Sequence, residues 1–553
     1  MSVDLRTEIN DCENSATTFT TSGSGLGTVS LAGQFYEGTA AVEAQHSNND
    51  DELYTTTDSG GTGLNIDMSD VTAYVLLKDA LPQSFANRGV QVLLGDGTDR
   101  IGYSVGGSDA QGLPVGPFFN VYKLDVSVIV AAPGTNFAVY AGSEANLAQT
   151  AITQFGIGTF HNAKAQGNVA NLSLDRMTYH ANGSYGLRIN GGTVGTPETM
   201  ADVQGDDVTN GWGMVANPLG DLYYFFAPTE WGEPTANADA YFQANDEQWF
   251  WIGDNGGGRA VGATHFPFRV VGNATDTISY QLTNVTIVNT GTRAQFDMSD
   301  ANVDVLELSA VTMTNVGAIT FPAAAVNKFA NDCIFNNCDQ VYLSDLVCDG
   351  LTFNGSNNAL GAVLWDGSSD PSAQDNVTFV SDGTGHAIEI SLDTASLTTF
   401  NIDGYEVSGY ETANDGTTGN TVFLVDNAQD GDVTINITNG VGTFSYERAA
   451  GYTGTVTINQ TVSVTITVVD TAGTPIQGAK VFLETTPGGV DVIAYGITDV
   501  NGQVSTSYAG ATPQAVVGVV RKGTASPVYK ASPINATIGA GGLDATVTLV
   551  EDE

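Results

Sequence analysis

Carboxylates crowd the stretch between residues 345 and 389, and paired carboxylates are what acid–base hydrolysis of a glycosidic bond requires. Asp366, Asp370 and Asp375 follow Trp365 closely, so they are the candidate catalytic group. Two further pairs are Asp345 with Asp349, and His386 with Glu389. The chain has 61 acidic residues among 553, however, so clusters of this kind arise by chance. We therefore expect no enzymatic activity, and we keep a glycosidase that uses only carboxylates as the alternative.

Aromatic residues concentrate between residues 150 and 280, which hold four of the five tryptophans. They are Trp212, Trp231, Trp249 and Trp251. Flat rings can stack on the faces of sugars, which makes these four the candidate glycan-binding residues. The same rings could instead close the open end of a stacked fold, where the first layer otherwise exposes its apolar core. The sequence leaves both interpretations open.

No cofactor is required by any motif, although Ca²⁺ is possible at Asp96 or Asp99 in the run Gly95-Asp-Gly-Thr-Asp99. An Asp-Gly pair is also a common turn, so a metal site there is one of two interpretations. The four cysteines form no C-x-x-C pair and only five histidines are present, which argues against zinc. Three of the cysteines, Cys333, Cys338 and Cys348, fall close together. We expect free, buried thiols rather than a disulfide.

The net charge of −44 is the strongest global property of the chain. A surface this acidic excludes a nucleic-acid backbone as the main partner and suits saline surroundings. The longest apolar runs fall short of the 18 residues that a membrane span needs. The first residues lack a signal-peptide pattern, so we expect a protein that is used without the secretory route or that is processed. Abundant Gly, Thr, Asn, Asp and Val predict an all-β protein with many turns.

Short β-type runs that close on Asn, Asp or Gly recur between residues 280 and 440. Their central apolar residues are Ile287, Met313, Phe335, Phe353 and Phe379, which lie 18 to 26 residues apart. One such run per 20–30 residues or so is typical of a solenoid, in which each coil buries its inner face on the next. Asn289, Asn315, Asn336 and Asn354 follow these runs, which predicts an internal asparagine ladder. A β-sandwich built from hairpins is the alternative.

Three resemblances divide the chain. Residues 281–460 resemble the right-handed parallel β-helix of pectate-lyase-like proteins and phage tailspikes. Residues 1–150 resemble concanavalin-like jelly rolls of phage virion proteins, through Asp11-Cys-Glu-Asn14, Phe35-Tyr-Glu-Gly38, Gly95-Asp-Gly-Thr-Asp-Arg-Ile-Gly-Tyr103 and Gly106-Gly-Ser-Asp109. Residues 151–280 form an aromatic-rich transition and cap, with a bend expected at Gly256-Gly-Gly258.

Residues 461–553 are the clearest separate module. The run Gly473-Thr-Pro-Ile-Gln-Gly-Ala-Lys-Val481 is followed by Thr498-Asp-Val-Asn-Gly502. This order is similar to that of carboxypeptidase-regulatory-like and bacterial Ig-like sandwiches, which are generally adhesive or spacing modules. Pro475 and Gly478 are expected to turn the chain between the first two strands, and Asn501-Gly502 to form a tight hairpin.

The resemblances imply a structural protein on the capsid or tail exterior of a bacteriophage virion, in a fibre-like or spike-like appendage. Its expected partners are two further copies in a homotrimer, other virion proteins and a host-surface glycan. A tailspike polysaccharide depolymerase is the alternative, and a bacterial surface adhesin is a third hypothesis. Pectate lyases use an arginine base, whereas residues 280–440 hold only Arg293 and Lys328 as basic residues. The resemblance therefore does not extend to that mechanism.

Overall fold

A computed structural model describes most of the chain, and it is built almost entirely of β-strands, which confirms the predicted all-β class. The described residues are 2–13, 19–22, 30–32, 41–46, 51–79, 90–104, 113–116, 119–127, 137–159, 170–217, 219–236, 238–245, 247–253, 268–290, 293–323, 327–393, 396–416, 419–510, 513–523, 526–539 and 542–552. The motifs predicted at 35–38, 106–109 and 256–258, and Asn14, lie outside them. The chain divides into two compact units, Met1–Pro322 and Ala323–Glu553.

The first unit begins with two antiparallel sheets. One sheet holds, in spatial order, Leu113–Gly116, Phe119–Asp125, Val71–Asp79, Ala170–Ala181, Ala41–His46 and Ser30–Ala32, with Thr7–Asn10 also paired to Ala170–Ala181. The other holds Phe137–Ala141, Arg100–Ser104, Val90–Gly95, Gln154–Thr159, Asp51–Thr55 and Phe19–Ser22. Alternate residues of strands from both sheets, such as Val75, Leu77, Val92 and Leu94, are buried in one shared core. The jelly-roll family remains a prediction.

The rest of the first unit consists of strands stacked in parallel in three ladders. Ladder A holds Leu187–Ile189, Thr229–Gly232, Phe268–Val271, Phe296–Asp297 and Ile319–Thr320. Ladder B holds Leu222–Phe225, Trp249–Gly253, Thr286–Thr290 and Thr312–Thr314. Ladder C holds Ala240–Ala244, Ile278–Thr283 and Val305–Ser309. Ser2–Asp4 pairs with Leu187–Ile189, and Val215–Ala216 with Leu222–Phe225, both antiparallel.

The helix α1 (Met200–Asn210) belongs to the first unit. Its N-terminus is a capping box, because the Thr199 side chain accepts from the Asp202 amide and the Asp202 carboxylate accepts from the Thr199 amide. Gly211, with φ of 61°, ends it in the left-handed conformation. No helix in the described residues is long and apolar enough to span a membrane.

The second unit has three parallel ladders, named in the same way. Its ladder A holds Val341–Tyr342, Val363–Trp365, Ile388–Leu392, Phe423–Asn427 and Tyr446–Arg448. Its ladder B holds Ile334–Asn336, Thr352–Asn354, Thr378–Val380 and Glu406–Ser408. Its ladder C holds Lys328–Asn331, Val347–Asp349, Gln374–Asp375, Thr399–Asp403, Val433–Thr438 and Val456–Val469. The chain visits C, then B, then A, so these strands do not form hairpins.

The residue that follows a strand of ladder C or ladder B explains why the runs close on Asn, Asp or Gly. This corner residue has a positive φ after ladder-C strands in Asn284, Ala310, Asp332, Gly350, Asn376, Gly404 and Asn439, and after ladder-B strands in Asn315, Asn337, Gly355 and Gly409. Left-handed backbone is cheapest for Gly and tolerable for Asn and Asp. The four asparagines do not form one internal ladder: Asn289 is buried, as predicted, but Asn354 is exposed and donates to Asn336 at 2.9 Å on the outer surface. The corner conformation, not an amide stack, selects these residue types.

Ala310 is the exception among the corner residues, since it holds φ at 54° with a Cβ and an exposed side chain. We expect Ala310→Asn to raise the free energy of unfolding by about 1 kcal/mol, because an L-residue without a short polar side chain pays about that much in this conformation. Urea unfolding of the full chain measures the change. Ala359→Asn is the control at an exposed alanine without a positive φ. Equal effects at both positions would contradict the corner explanation.

The four cysteines are free and buried, as predicted. Burial raises the pKa of the Cys348 thiol, and the neighbouring Cys333 raises it further. Because the thiolate is the reactive form, we expect a thiol reagent to label none of the four in the native protein and all four in denaturant. The absorbance of the group that the reagent releases on reaction measures the number of labelled cysteines. Labelling before unfolding would contradict the burial.

The second unit ends in a sandwich that shares a strand with ladder C. Val456–Val469 pairs in parallel with Val433–Thr438 up to Thr461, and from Val462 it pairs with Gln503–Tyr508 and Leu543–Thr548. A four-stranded antiparallel sheet packs on these strands, in the order Asp491–Ile497, Lys480–Thr485, Gln514–Lys522 and Tyr529–Ile538. The core between them includes Val464, Ile466, Val481, Leu483 and Val520. The hairpin predicted at Asn501-Gly502 is wrong: the Gly502 amide closes a turn to Asp499 at 3.0 Å, but the strands before and after this turn, Asp491–Ile497 and Gln503–Tyr508, belong to different sheets.

Candidate functional site

Two of the four candidate tryptophans lie on the outer face of ladder B in the first unit. Trp249 and Trp251 are two residues apart on one strand, so both point outward, while Phe250 and Ile252 between and after them are buried. Trp249 is 47% exposed. Tyr224 is in register with Trp251 on the neighbouring strand, and their ring centroids are 5.3 Å apart. We call Tyr224, Trp249 and Trp251 the aromatic face.

Trp231 is not part of this face. It is 1% exposed and its ring packs against Phe242 at 4.5 Å, Tyr280 at 5.4 Å and Phe225 at 5.6 Å between centroids. No sugar can reach it, so the assignment of Trp231 to glycan binding is corrected: its strand turns this residue into the interior. This packing is that of a core residue, and the competing interpretation, in which the rings close the open end of the stack, stays a prediction.

Trp212 lies apart from both groups. It follows the left-handed Gly211 after α1, is half-buried, and its backbone carbonyl accepts from the Arg6 guanidinium. The four candidate tryptophans therefore separate into an outward pair, Trp249 and Trp251, the core residue Trp231, and Trp212 beside the end of a helix. Strand alternation explains the outward pair: residues at positions i and i+2 of one strand share a face.

The three candidate catalytic carboxylates do not converge. Asp366 accepts from the Ser368 amide at 2.9 Å and its hydroxyl at 2.6 Å, and Asp370 accepts from the Ser372 amide at 3.0 Å, so both stabilise turns. Asp366 also lines a small cleft of about 30 Å³ beside Tyr342 and Ser344. Asp375 lies on ladder C, in the strand Gln374–Asp375 that follows the turn begun by Asp370.

Asp375 instead belongs to a column of carboxylates on the outer side of ladder C. It is in register with Asp349 on one neighbouring strand and with Asp403 on the other. All three are exposed. Partial burial raises the pKa of the Asp375 carboxyl, and the charges of Asp403 and Asp349 raise it further. Asn376 donates to Asp349 at 2.7 Å. A carboxyl with a raised pKa between two others has the chemistry of an acid–base group.

The register of this column could not be read from the sequence. Asp349 and Asp375 were both candidates, but in different groups, and Asp403 was not a candidate. The coils between them have unequal lengths, 26 residues from 349 to 375 and 28 from 375 to 403. The only available signal is that each acid ends a β-run immediately before a corner residue.

His386 and Glu389 are not paired with each other through any described hydrogen bond. The Nδ1 atom of His386 lies 2.9 Å from the Thr421 hydroxyl and 3.1 Å from the Thr421 carbonyl oxygen, and its Nε2 lies 4.0 Å from the Glu447 carboxylate. Burial lowers the pKa of the His386 imidazole. Glu389 instead accepts from the Gln340 side chain.

Asp96 and Asp99 bind backbone amides in a turn. Asp96 accepts from the amides of Thr98 and Asp99 at 2.8 Å each and from that of Ala148 at 2.9 Å. Burial opposes ionisation of Asp96, but these amides together keep its pKa below the usual value. Asp99 accepts from the Ser143 amide at 2.6 Å. In the described residues no group of three or more His, Cys, Asp or Glu could hold a metal ion. Calcium at Asp96 and Asp99 remains a prediction.

Comparison with known proteins finds no relative: no protein-family model matches the chain, and no curated protein matches it significantly.

Proposed function

We propose that the chain is a non-enzymatic structural protein of a bacteriophage virion, in a fibre-like or spike-like appendage, and that its aromatic face binds a host-surface glycan. Stacked parallel strands support the structural role, because each layer pairs its backbone with the next and leaves loops and outer faces for recognition. The phage assignment rests on the sequence resemblances of the three parts of the chain.

The observation that carries the binding role is the exposure of Trp249 on a regular strand. Large rings are normally withdrawn from water, and an exposed tryptophan held by a rigid strand beside a second ring is a ready-made stacking surface. Trp251 and Tyr224 extend this surface across two strands. Their backbones are fixed by ladder hydrogen bonds, so little conformational entropy is lost when a sugar binds.

The expected test is binding of the full chain to purified capsular polysaccharide or lipopolysaccharide from candidate host strains, followed through tryptophan emission. Trp249→Ala should weaken binding about tenfold, since an aromatic contact contributes about 1–1.5 kcal/mol. Val347→Ala is the control, because Val347 is also 47% exposed but lies on ladder C of the second unit. Binding that survives Trp249→Ala and Trp251→Ala unchanged would contradict the proposal.

For partners we propose further copies of the chain in a homotrimer, and other virion proteins. The charge of −44 opposes binding to nucleic acid. Light scattering at the salt concentration of the native environment tests the trimer, and a monomer at all concentrations contradicts it. Imaging of virions with an antibody against residues 461–553 tests the location on the particle exterior.

A depolymerase is the second candidate, and the Asp349–Asp375–Asp403 column favours it. Here Asp375 is the proposed acid and an ionised neighbour the proposed base or nucleophile. A reducing-end assay on the same polysaccharides tests it. Activity that is lost in Asp375→Asn but kept in Asp366→Asn and Asp370→Asn would establish the column as the site.

A further inference from the structure

The outward side of the four-stranded sheet in the C-terminal sandwich carries an exposed apolar row. In Lys480–Thr485, Val481 and Leu483 are buried, so Lys480, Phe482 and Glu484 point outward. Pairing across the sheet aligns Phe482 with Val519, and Val519 with Pro533. Tyr495 lies at the same level on the remaining strand. We call Tyr495, Phe482, Val519 and Pro533 the apolar row.

The apolar row is open to solvent. Tyr495 is 63% exposed and Val519 is 38% exposed, while Ile497 beside them is 55% exposed. Four strands thus present a contiguous apolar strip on the side opposite their own core. Contiguous apolar surface of this kind on a folded protein marks a contact site rather than a free surface.

Charges of opposite sign flank the apolar row. On one side of the apolar row, Lys480 lies in register with Arg521 on the neighbouring strand. On the other side, Glu484 lies in register with Asp491 on the neighbouring strand. Lys480 places its Nζ 5.3 Å from the centroid of the Tyr495 ring, so the ammonium group lies over the apolar row. The sheet face is therefore basic along one side, apolar along the middle and acidic along the other.

Charge also decides where two copies of this chain can approach each other. Residues 461–553 carry eight acidic and four basic residues, a net charge of −4, which leaves −40 for residues 1–460. Two copies repel one another over most of their surfaces, and the repulsion is weakest at the C-terminal sandwich. An apolar strip on the least charged part of the molecule therefore fits a second copy of the same chain.

We propose that two copies associate face to face through this sheet, about a two-fold axis that runs along the apolar row. A two-fold contact uses the same patch on both chains. Rotation about this axis lays the apolar row on its own copy and exchanges the two flanks. Lys480 then faces the partner subunit's Glu484, and Glu484 faces the partner subunit's Lys480. The strands of the two sheets run nearly in line, which is one of the two usual packings of sheets.

Charge reversal in the full chain tests this pairing. Lys480→Glu or Glu484→Lys alone places like charges opposite each other, and each is expected to weaken self-association about tenfold. The double variant Lys480→Glu/Glu484→Lys restores opposite charges and is expected to recover the wild-type affinity. Lys530→Gln controls for the loss of one positive charge from the sandwich, because the Lys530 ammonium lies 3.8 Å from Asp552 of its own chain. Sedimentation velocity over a range of concentrations is the measurement.

A disulfide trap tests the position of the axis. A residue on a two-fold axis meets its own copy, so Val519→Cys is expected to form a covalent dimer on mild oxidation, and Val490→Cys, 62% exposed but off the axis, is not. The native cysteines are buried and do not compete.

A monomeric wild-type chain, or single charge variants that associate as the wild type does, would overturn the inference. A trimer unchanged by all these variants would overturn it and leave the proposed homotrimer standing.

Discussion

Replacing Phe353 by alanine is expected to lower the free energy of unfolding of the second unit by about 4 kcal/mol. Phe353 stacks between Phe335 and Phe379 inside ladder B, with ring centroids 4.9 Å away on both sides and interplanar angles of 13° and 11°. The three rings occupy the same position on successive strands. Removing the middle ring therefore breaks two contacts and leaves a cavity that the fixed spacing of the strands prevents from closing.

Denaturant unfolding monitored by far-ultraviolet circular dichroism measures this loss. Phe353→Leu keeps most of the volume and is expected to cost less than about 1.5 kcal/mol. Val380→Ala, on a neighbouring strand with its side chain on the outer surface, is expected to change stability by less than about 0.5 kcal/mol. Similar losses in Phe353→Ala and Val380→Ala would show that the column of rings is not the core of these coils.

Glu230→Ala is expected to destabilise the first unit by about 3 kcal/mol, near the lower end of the range for breaking a buried ion pair. Glu230 is 1% exposed and lies in register between Arg188 and Arg269 on ladder A. It accepts from Arg188 Nε at 2.6 Å and from Arg269 Nε at 2.7 Å. Without the carboxylate, two guanidinium groups remain near each other with no charge between them.

The two arginines are partly exposed, 24% and 37% by side chain, so water relieves some of this penalty and the lower end of the range applies. Glu230→Gln preserves the shape and is expected to fall between the wild type and Glu230→Ala. The triple variant Glu230→Leu/Arg188→Met/Arg269→Met removes all three charges and should recover part of the stability, because neither arginine is then left without the Glu230 carboxylate. A triple variant weaker than Glu230→Ala would contradict the account.

The repeating pattern of the stacked region was readable from the sequence because the backbone imposes it locally. Coils turn sharply after their strands in ladder C and ladder B, and residues that accept a positive φ do this cheaply. Asn284, Asn376 and Asn439 meet this requirement, since all three have a positive φ. A second requirement is one inward apolar side chain in each run, which core residues such as Phe335 and Phe353 supply. Both signals depend on neighbours in the chain, so the all-β class and the parallel stacking were predictable.

The candidate sites were less predictable, because they depend on alignment between residues that are distant in the chain. The carboxylate column exists only because loops of different length return Asp349, Asp375 and Asp403 to the same position of the stack. No periodic spacing reveals it. For the same reason the sequence placed Trp231 in one group with Trp249, although the Trp231 side chain points into the interior and the Trp249 side chain points outward.

By itself the sequence determined the β class, the recurring short β-runs, the buried thiols and the charge, since each follows from residue type and short-range geometry. Only the tertiary structure decided which side chains share an outer face and which are buried in the interior. The physical reason is that strand register is set by backbone pairing between coils, and one residue of shift would exchange every inward side chain for an outward one.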